Sequence, residues 1–318
     1  MSKRQIRILA ILAATALLLG ILLAVLRYEK KPEVLAHLVD IPIEDIDQLV
    51  FTGSTASINL QQQDGQWQAL LPEATLPAKQ DTVNTMLQQL CAVRPQQVLE
   101  DADPALFAAS TLQASIDILS GTDTSQVKAS QQIRIYSMNA ITDQLYVQVD
   151  NIFYLTDTSL MKIFPTSALE LLQQYNIPKP ENHRQVTVEN SSGKISLSCD
   201  PVQTGGQEGT WYVLTEDGWV EADQNQAYNF YFLTYDMHWK STAAVLTKET
   251  DFSVFGLDRP QAIYTLTYGD ETFRLYLGEN LPDGTTYAMC DGSILVYTMD
   301  TLLASWLAEA TAQPLLPQ

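Results

Sequence analysis

Apolar and polar residues alternate over short stretches throughout residues 46–318, a pattern typical of strands that bury one face. The alternation is clearest at 133–136, 145–149 and 152–155, and again at 263–266, 273–277 and 294–297. Turn-forming sequences separate such stretches, as at 268–271, which reads Tyr-Gly-Asp-Glu. Because one face of each strand is apolar and the other polar, the pattern predicts antiparallel sheet.

A helical period replaces the alternation at four places. Apolar residues recur at i, i+3, i+4, i+7 and i+8 as Val83, Met86, Leu87, Leu90 and Cys91, which predicts an amphipathic helix over about 81–93. Further helices are predicted over about 167–175, 224–240 and 301–310. Antiparallel sheets that carry packed amphipathic helices predict an α+β fold class.

The two patterned regions are similar to each other, which indicates an internal duplication. Trp67 and Trp211 lie 144 residues apart, and each stands two residues after a glycine at the end of an alternating segment. Farther along the chain the offset falls to 142, which pairs Ile152 with Ile294. The sequence therefore predicts two copies of one domain.

A proline-containing segment, 176–182, separates the copies and predicts an extended linker. We assign the first α+β repeat to 46–176 and the second to 177–318. Residues 1–45 are assigned to an N-terminal tail, a membrane anchor and a juxtamembrane linker.

The anchor is predicted from the run Ile8 to Leu26, nineteen residues without a charge or a proline. As a helix it would span ~28 Å, close to the thickness of a bilayer's hydrocarbon core. A cleaved secretory signal is the alternative, because Lys3, Arg4 and Arg7 precede the run. The run is longer than a usual signal and no small-x-small site follows it, so we predict an uncleaved, single-pass anchor with the C-terminal body outside the cytoplasm.

Charge separates the anchor from the body. The chain has 18 basic and 37 acidic residues; residues 1–31 hold six of the basic and one of the acidic, which leaves 12 and 36 for the rest, a net charge of −24. Nucleic-acid binding needs lysine and arginine to neutralise phosphates, so a body this acidic predicts no nucleic-acid partner. A calcium site is the sharper interpretation of the acidity, but no Asp-x-Asp-x-Asp-Gly loop is present.

The sequence offers no catalytic residue, cofactor site or metal site. His37, His183 and His238 are too scattered for a helical metal pair, and glycines at 205, 206 and 209 lack the Lys-Ser/Thr of a phosphate loop. We therefore predict a protein that is not an enzyme.

The three cysteines form no Cys-x-x-Cys pair. Cys91, Cys199 and Cys290 each lie among apolar residues, which favours buried, small apolar side chains. A single disulfide stays open, since spacing cannot choose a pair.

Several segments of the second copy together carry a family resemblance: Phe-Gly-Leu-Asp-Arg-Pro at 255–260, Tyr-Thr-Leu at 264–266, Leu-Gly-Glu at 277–279, Thr-Tyr-Ala at 286–288, and Val-Tyr at 296–297. With Leu-Pro-Ala at 76–78, this pattern resembles the bacterial family called domain of unknown function 4340. The first copy has only Ser110 to Ala114 at the corresponding turn, without the glycine and proline. We interpret Trp67, Trp211 and the Gly256-Leu257-x-x-Pro260 turn as structural motifs.

The resemblance implies a bacterial envelope protein with an N-terminal membrane segment. It also implies an association with export transporters of the ATP-binding-cassette type, so a transporter permease becomes a candidate partner. No active-site residues follow from it.

One surface is predicted to contact a partner. Tyr228 and Phe232 correspond to Asn84 and Gln88 in the first copy, and aromatic residues in place of polar ones indicate a covered surface. We group Trp239 with them, because it follows at helical spacing. The cover is either the other half of the chain or a partner protein.

The leading hypothesis is a membrane-anchored, extracytoplasmic, non-enzymatic protein-interaction module, an accessory subunit of an export system. The alternative is an envelope module that binds a small ligand or cell wall in the cleft between the repeats.

Overall fold

The computed structural model describes residues 37–54, 56–99, 107, 112–121, 128–139, 141–179, 184–199 and 209–317. These residues form two nine-stranded antiparallel sheets. The first sheet contains β1 (Gln48–Gly53), β2 (Ser57–Gln63), β3 (Gln66–Leu70), β4 (Thr75–Pro77), β5 (Gln97–Leu99), β6 (Ala114–Ser120), β7 (Ala129–Asn139), β8 (Gln144–Val149) and β9 (Ile152–Asp157). The second contains β10 (Arg184–Asn190), β11 (Gly193–Cys199), β12 (Trp211–Thr215), β13 (Gly218–Glu221), β14 (Ser241–Val245), β15 (Ala262–Tyr268), β16 (Glu271–Asn280), β17 (Thr285–Cys290) and β18 (Leu295–Asp300).

Three α-helices accompany the sheets: α1 (Gln80–Ala92), α2 (Gln224–Tyr235) and α3 (Thr301–Glu309). Short 3-10 helices lie at Ile43–Asp45, Thr158–Lys162, Ala168–Leu171, Phe252–Phe255 and Gln313–Leu315. Each of α1 and α2 lies between the fourth and fifth strands of its half.

The strand order shows that the halves are copies. It is β4-β3-β2-β1-β6-β7-β8-β9-β5 in the first sheet and β13-β12-β11-β10-β15-β16-β17-β18-β14 in the second, the same order with every number raised by nine. Each sheet lies within one of the two repeats assigned from sequence. In both sheets the first strand after the helix lies at one edge, beside the last strand of that half.

The predicted α+β class, with an N-terminal transmembrane helix, is wrong for the described chain, which is mainly β. The helix predicted over 167–175 is only the 3-10 helix Ala168–Leu171, because the chain there pairs with β4 instead. Lys79 N–H donates to Leu171 O at 2.7 Å, and Gln173 N–H donates to Pro77 O at 2.8 Å. These sheet-like bonds take the backbone groups that a helix would use.

The predicted anchor, Ile8 to Leu26, lies outside the described residues. Among the residues that are described, no helix is both long and apolar enough to cross a membrane.

The hydrophobic core of the first half includes residues from outside the first repeat. Leu38, Ile41 and Ile46, of which the first two were assigned to the linker, are buried in the first core. Leu295 and Tyr297 of β18 also belong to that core, and Trp239 packs against both cores. The halves therefore form a continuous apolar contact.

A hydrogen-bonded clamp, repeated in both halves, fixes each helix to its hairpin. Gln80 accepts a bond from Trp67 N–H at 2.8 Å and donates to Trp67 O and Ala78 O. Gln224 likewise accepts a bond from Trp211 N–H at 2.8 Å and donates to Trp211 O at 3.0 Å and to Ala222 O at 2.8 Å. The glutamines are 144 residues apart, like the tryptophans they hold, and both indoles are buried.

Replacing Gln224 by alanine is expected to cost about 2 kcal/mol of unfolding free energy, because three hydrogen bonds to the backbone are lost. Urea denaturation followed by tryptophan fluorescence measures the loss. Gln226→Ala is the control: its side chain is exposed on the same helix, and the cost there should stay within about 0.5 kcal/mol. Equal losses in the two variants would contradict the clamp.

The glycine turn before β15 lies against β16. Gly256 has a φ of 66°, and Leu257 is buried. A Cβ on Gly256 would lie 2.8 Å from Glu279 N, and a Cβ on Gly278 would lie 2.0 Å from Phe255 O. The turn and β16 thus touch through two glycines. The first-copy residues Ser110 and Thr111 at the corresponding turn lie outside the described part of the chain.

Candidate functional site: the exposed face of the second-half helix

The helices α1 and α2 bury equivalent stripes against their sheets. In α1 the buried residues are Val83, Met86, Leu87 and Leu90, and in α2 they are Ala227, Phe230, Tyr231 and Thr234, each 144 residues later. Asp223 caps α2 by accepting from Gln226 N–H at 3.0 Å. The opposite faces of the two helices can therefore be compared position by position.

The outward side of α2 carries three large apolar side chains, Tyr228, Phe232 and Leu233, which we call the apolar face. They are 42%, 51% and 44% exposed, and the Tyr228 and Phe232 rings stack with centroids 6.1 Å apart. Tyr228 and Phe232, at i and i+4, lie on one face of the helix, and Leu233 extends this patch on the side of Phe232. No residue from Gln224 to Tyr235 is charged, so the patch has no charge of its own.

The same positions in α1 are occupied by Asn84, Gln88 and Gln89, which are also exposed. The fold therefore does not require apolar side chains there. Large apolar residues that are exposed in one copy, where the other copy has polar residues, indicate a binding surface. The contrast between copies is the main observation that points to a surface for a partner.

Trp239 does not belong to the apolar face. Helix α2 ends at Tyr235, and the chain then turns inward at Met237, which is buried. The Trp239 indole donates to Tyr175 O at 2.7 Å and stacks on Tyr297 with centroids 4.3 Å apart. Trp239 is therefore covered by Tyr175 of the first half and Tyr297 of its own half.

The contact between the halves is filled by aromatic side chains. Tyr175 N–H donates to the Tyr297 hydroxyl at 3.0 Å, and the Tyr175 ring stacks on Phe273. Burial raises the pKa of Tyr297, so the phenol stays neutral. Lys179 of the linker covers the Tyr235 ring at 5.0 Å. The cavities described below each lie within one half, and the hypothesis of a ligand cleft between the repeats stays a prediction.

An equivalent groove runs beside the helix in each half. In the second half a cavity of 430 Å³ lies between α2 and the C-terminal segment, and Leu233 of the apolar face lines it together with Trp306 and Pro314. In the first half a cavity of 560 Å³ lies between α1 and the segment after β9. Gln89 lines this one at the position of Leu233. The apolar face thus continues into a groove.

The described residues form no cluster suited to binding a metal ion. No three His, Cys, Asp or Glu side chains there approach closely enough to hold a metal ion. Cys91 and Cys290 are free thiols, and Cys199 is buried; burial raises the pKa of Cys290 to about 12, and burial with the nearby Glu44 raises that of Cys91. Thiols with raised pKa values are poor nucleophiles at neutral pH. His183 lies outside the described residues.

Sequence reasoning missed Leu233, Gln80 and Gln224. All three were visible in the 144-residue offset, since Gln80 aligns with Gln224 and Leu233 with Gln89. Comparing the two copies at every helix position, rather than at the aromatic ones alone, would have found them.

Comparison with protein-family models, with curated proteins and with solved structures finds no match to this chain.

Proposed function

We propose that this chain is a membrane-anchored, extracytoplasmic protein-interaction module that binds a partner protein through the apolar face of α2. The observation that carries the proposal is the difference between the copies. Tyr228, Phe232 and Leu233 are exposed where the first copy exposes amides. Aromatic residues on a rigid helix are the usual anchors of protein interfaces.

The clamp and the core support the role of α2 as a rigid platform. Gln224 ties the start of the helix to β12, and Phe230 and Tyr231 fix its inner side in the core. A partner that covers the outer side therefore meets side chains whose backbone is already ordered, which lowers the entropy lost on binding.

The finer proposal is that the partner is a permease of an ATP-binding-cassette export system. It depends on the resemblance to domain of unknown function 4340 and on the apolar run Ile8 to Leu26, which would hold the body at the membrane surface. The acidic body supports a protein rather than a nucleic acid as partner.

The test is capture of the full-length, C-terminally tagged chain from native membranes in mild detergent, followed by quantitative mass spectrometry. The variant Tyr228→Asn/Phe232→Gln installs the residues of the first copy. We expect it to fold normally and to lose the partner at least about tenfold, because anchor residues each contribute about 2 kcal/mol or more.

The matched control is Leu302→Asn, which removes an apolar side chain that is 82% exposed on α3. It should leave the partner's recovery unchanged. Equal recovery with the double variant, or a double variant that no longer folds, would contradict the proposed surface. Recovery of a permease and its ATPase, lost only in the double variant, would support the transporter assignment.

A further inference from the structure

The groove between α2 and the C-terminal segment is largely apolar and carries a single charge. Its volume of 430 Å³ lies toward the lower end for ligand sites, so it has room for one or two side chains. Phe230 and Trp306, whose ring centroids are 4.6 Å apart, line it together with the more exposed Leu233 and Pro314. Among the described residues that line the groove, Glu309 alone is charged.

Glu309 has no counter-ion within the described part of the chain. The residue is exposed, and the ion pairs found there join other residues, Lys194 to Glu189 and Lys240 to Asp300. Glu309 ends α3, whose last turn contains no basic residue. Because the helix dipole repels a carboxylate at this end, the stability of α3 does not explain a glutamate here. A cation in the groove would offset both the carboxylate and the dipole.

The equivalent groove of the first half supplies its own cations. Two lysines and two carboxylates line it, which leaves its lining without net charge: Lys79, Lys162, Asp81 and Glu170. Its helix contributes Gln89 where α2 contributes Leu233. The groove of the second half is therefore more apolar and carries one unpaired negative charge. The two copies differ here in the same sense as on the apolar face.

We propose that this groove binds a basic side chain of the partner protein together with a large apolar side chain next to it. The inference rests on the proposed function, because Leu233 belongs both to the apolar face and to the groove. The cationic head would pair with Glu309, and its aliphatic stem would lie along the Trp306 ring, which itself attracts cations. The neighbouring apolar side chain would contact Leu233 and Pro314.

Other occupants fit the groove less well. A second copy of this chain would bring another body of net charge −24 to a groove that already carries a carboxylate. A neutral apolar ligand would cover the aromatic rings but leave Glu309 without a counter-ion. A basic segment with an apolar neighbour matches both the charge and the apolar lining, and the acidity of the body favours its approach.

The test adds the full chain, in a non-ionic detergent, to a fluorescently labelled peptide and follows the anisotropy of the label. The peptide is acetyl-Gly-Ser-Phe-Arg-Ser-Gly; a second has citrulline, the neutral isostere of arginine, and a third has alanine in place of phenylalanine. We expect saturable binding of the first and about fivefold weaker binding of each of the others. Added salt should remove the difference between the arginine and citrulline peptides, because it screens exposed ion pairs.

Variants of Glu309 separate the groove from the acidity of the whole body. Glu309→Gln should weaken binding of the arginine peptide about fivefold and leave the citrulline peptide unaffected. Glu249→Gln is the matched control, because it removes the same charge from an exposed residue beyond β14, at the opposite edge of the sheet from β13. It should change neither affinity. Glu309→Arg should reverse the preference, so that a peptide with glutamate in place of arginine binds better than the arginine peptide.

Three results would overturn the proposal. The first is an arginine peptide that does not bind saturably. The second is equal binding of the arginine and citrulline peptides. The third is an equal loss in Glu309→Gln and Glu249→Gln, which would mean that the acidic body as a whole attracts the peptide.

Failure of the groove can be told apart from failure of the apolar face. Tyr228 and Phe232 do not line the groove, so Tyr228→Asn/Phe232→Gln should still bind the peptide. Loss of the native partner in that double variant, with peptide binding that ignores Glu309, would contradict the groove alone. Peptide binding that depends on Glu309, with unchanged recovery of the partner, would contradict the apolar face alone.

Discussion

Replacing Trp239 by alanine is expected to lower the free energy of unfolding by about 3 kcal/mol and to uncouple the two halves of the chain. Trp239 packs against both cores, stacks on Tyr297 and donates to Tyr175 O at 2.7 Å. Its removal leaves a void between the halves and breaks the hydrogen bond to Tyr175 O. Loss of this half-buried indole lowers the stability of the fold because both packing contacts and a hydrogen bond are removed.

Urea denaturation followed by circular dichroism measures the effect. The unaltered chain should unfold with strong cooperativity between the halves, whereas Trp239→Ala should show an earlier and broader, or a two-step, transition. Trp239→Phe is the control, since it keeps the stacking on Tyr297 and loses only the indole N–H. A Trp239→Ala transition as late and as steep as that of Trp239→Phe would contradict the role of Trp239 in coupling the halves.

Replacing Gly278 by alanine is expected to cost about 3 kcal/mol or more, the upper end of what overpacking costs. The new Cβ would lie 2.0 Å from Phe255 O and 3.2 Å from Leu257 Cδ2. A backbone carbonyl cannot rotate away as a side chain does, so the turn before β15 must separate from β16. The bulge between Leu277 and Asn280 in the β16–β17 pairing would be disturbed with it.

The control for this prediction is Gly269→Ala. Gly269 has a φ of 56° but nothing within 4 Å of a built Cβ, so only the left-handed backbone is penalised, by about 1–2 kcal/mol. Thermal and urea denaturation of both variants gives the comparison. A smaller loss for Gly278→Ala than for Gly269→Ala would mean that the turn yields easily, against the close approach described here.

The amphipathic stripe of α1 was predictable because it depends on local spacing alone. Val83, Met86, Leu87 and Leu90 are buried, and the observed helix Gln80–Ala92 lies within one residue of the prediction. The alternating strands were predictable for the same reason. The end of α2 was not: aromatic spacing continues to Trp239, but Met237 enters the core and ends the helix at Tyr235.

The strands that sequence reasoning missed are short and gain their partners from far along the chain. β5 has three residues and pairs with β9, more than fifty residues later, and β14 likewise pairs with β18. Three to five residues cannot show a period, so only the pairing reveals them. These added strands, together with the replacement of a predicted helix by Ala168–Leu171, are why the fold is mainly β rather than α+β.

The offset between the copies also needed the structure at one place. The sequence paired Ile152 with Ile294, an offset of 142. The capping aspartates Asp157 and Asp300 show that the offset in β9 and β18 is 143. That one-residue correction aligns Thr156 with Met299, and a one-residue shift in a strand moves each side chain to the opposite face.

By itself, the sequence determined the duplication, the strand and helix faces of each copy, the acidity of the body, and the exposed aromatic pair Tyr228 and Phe232. These properties depend on periodicity, composition and the comparison of one copy with the other, all of which are local or additive. Only the tertiary structure decided the strand order, the packing of Trp239 against both cores, and the grooves beside α1 and α2. These depend on contacts between residues far apart in sequence, whose geometry is set by packing and by long-range backbone hydrogen bonds.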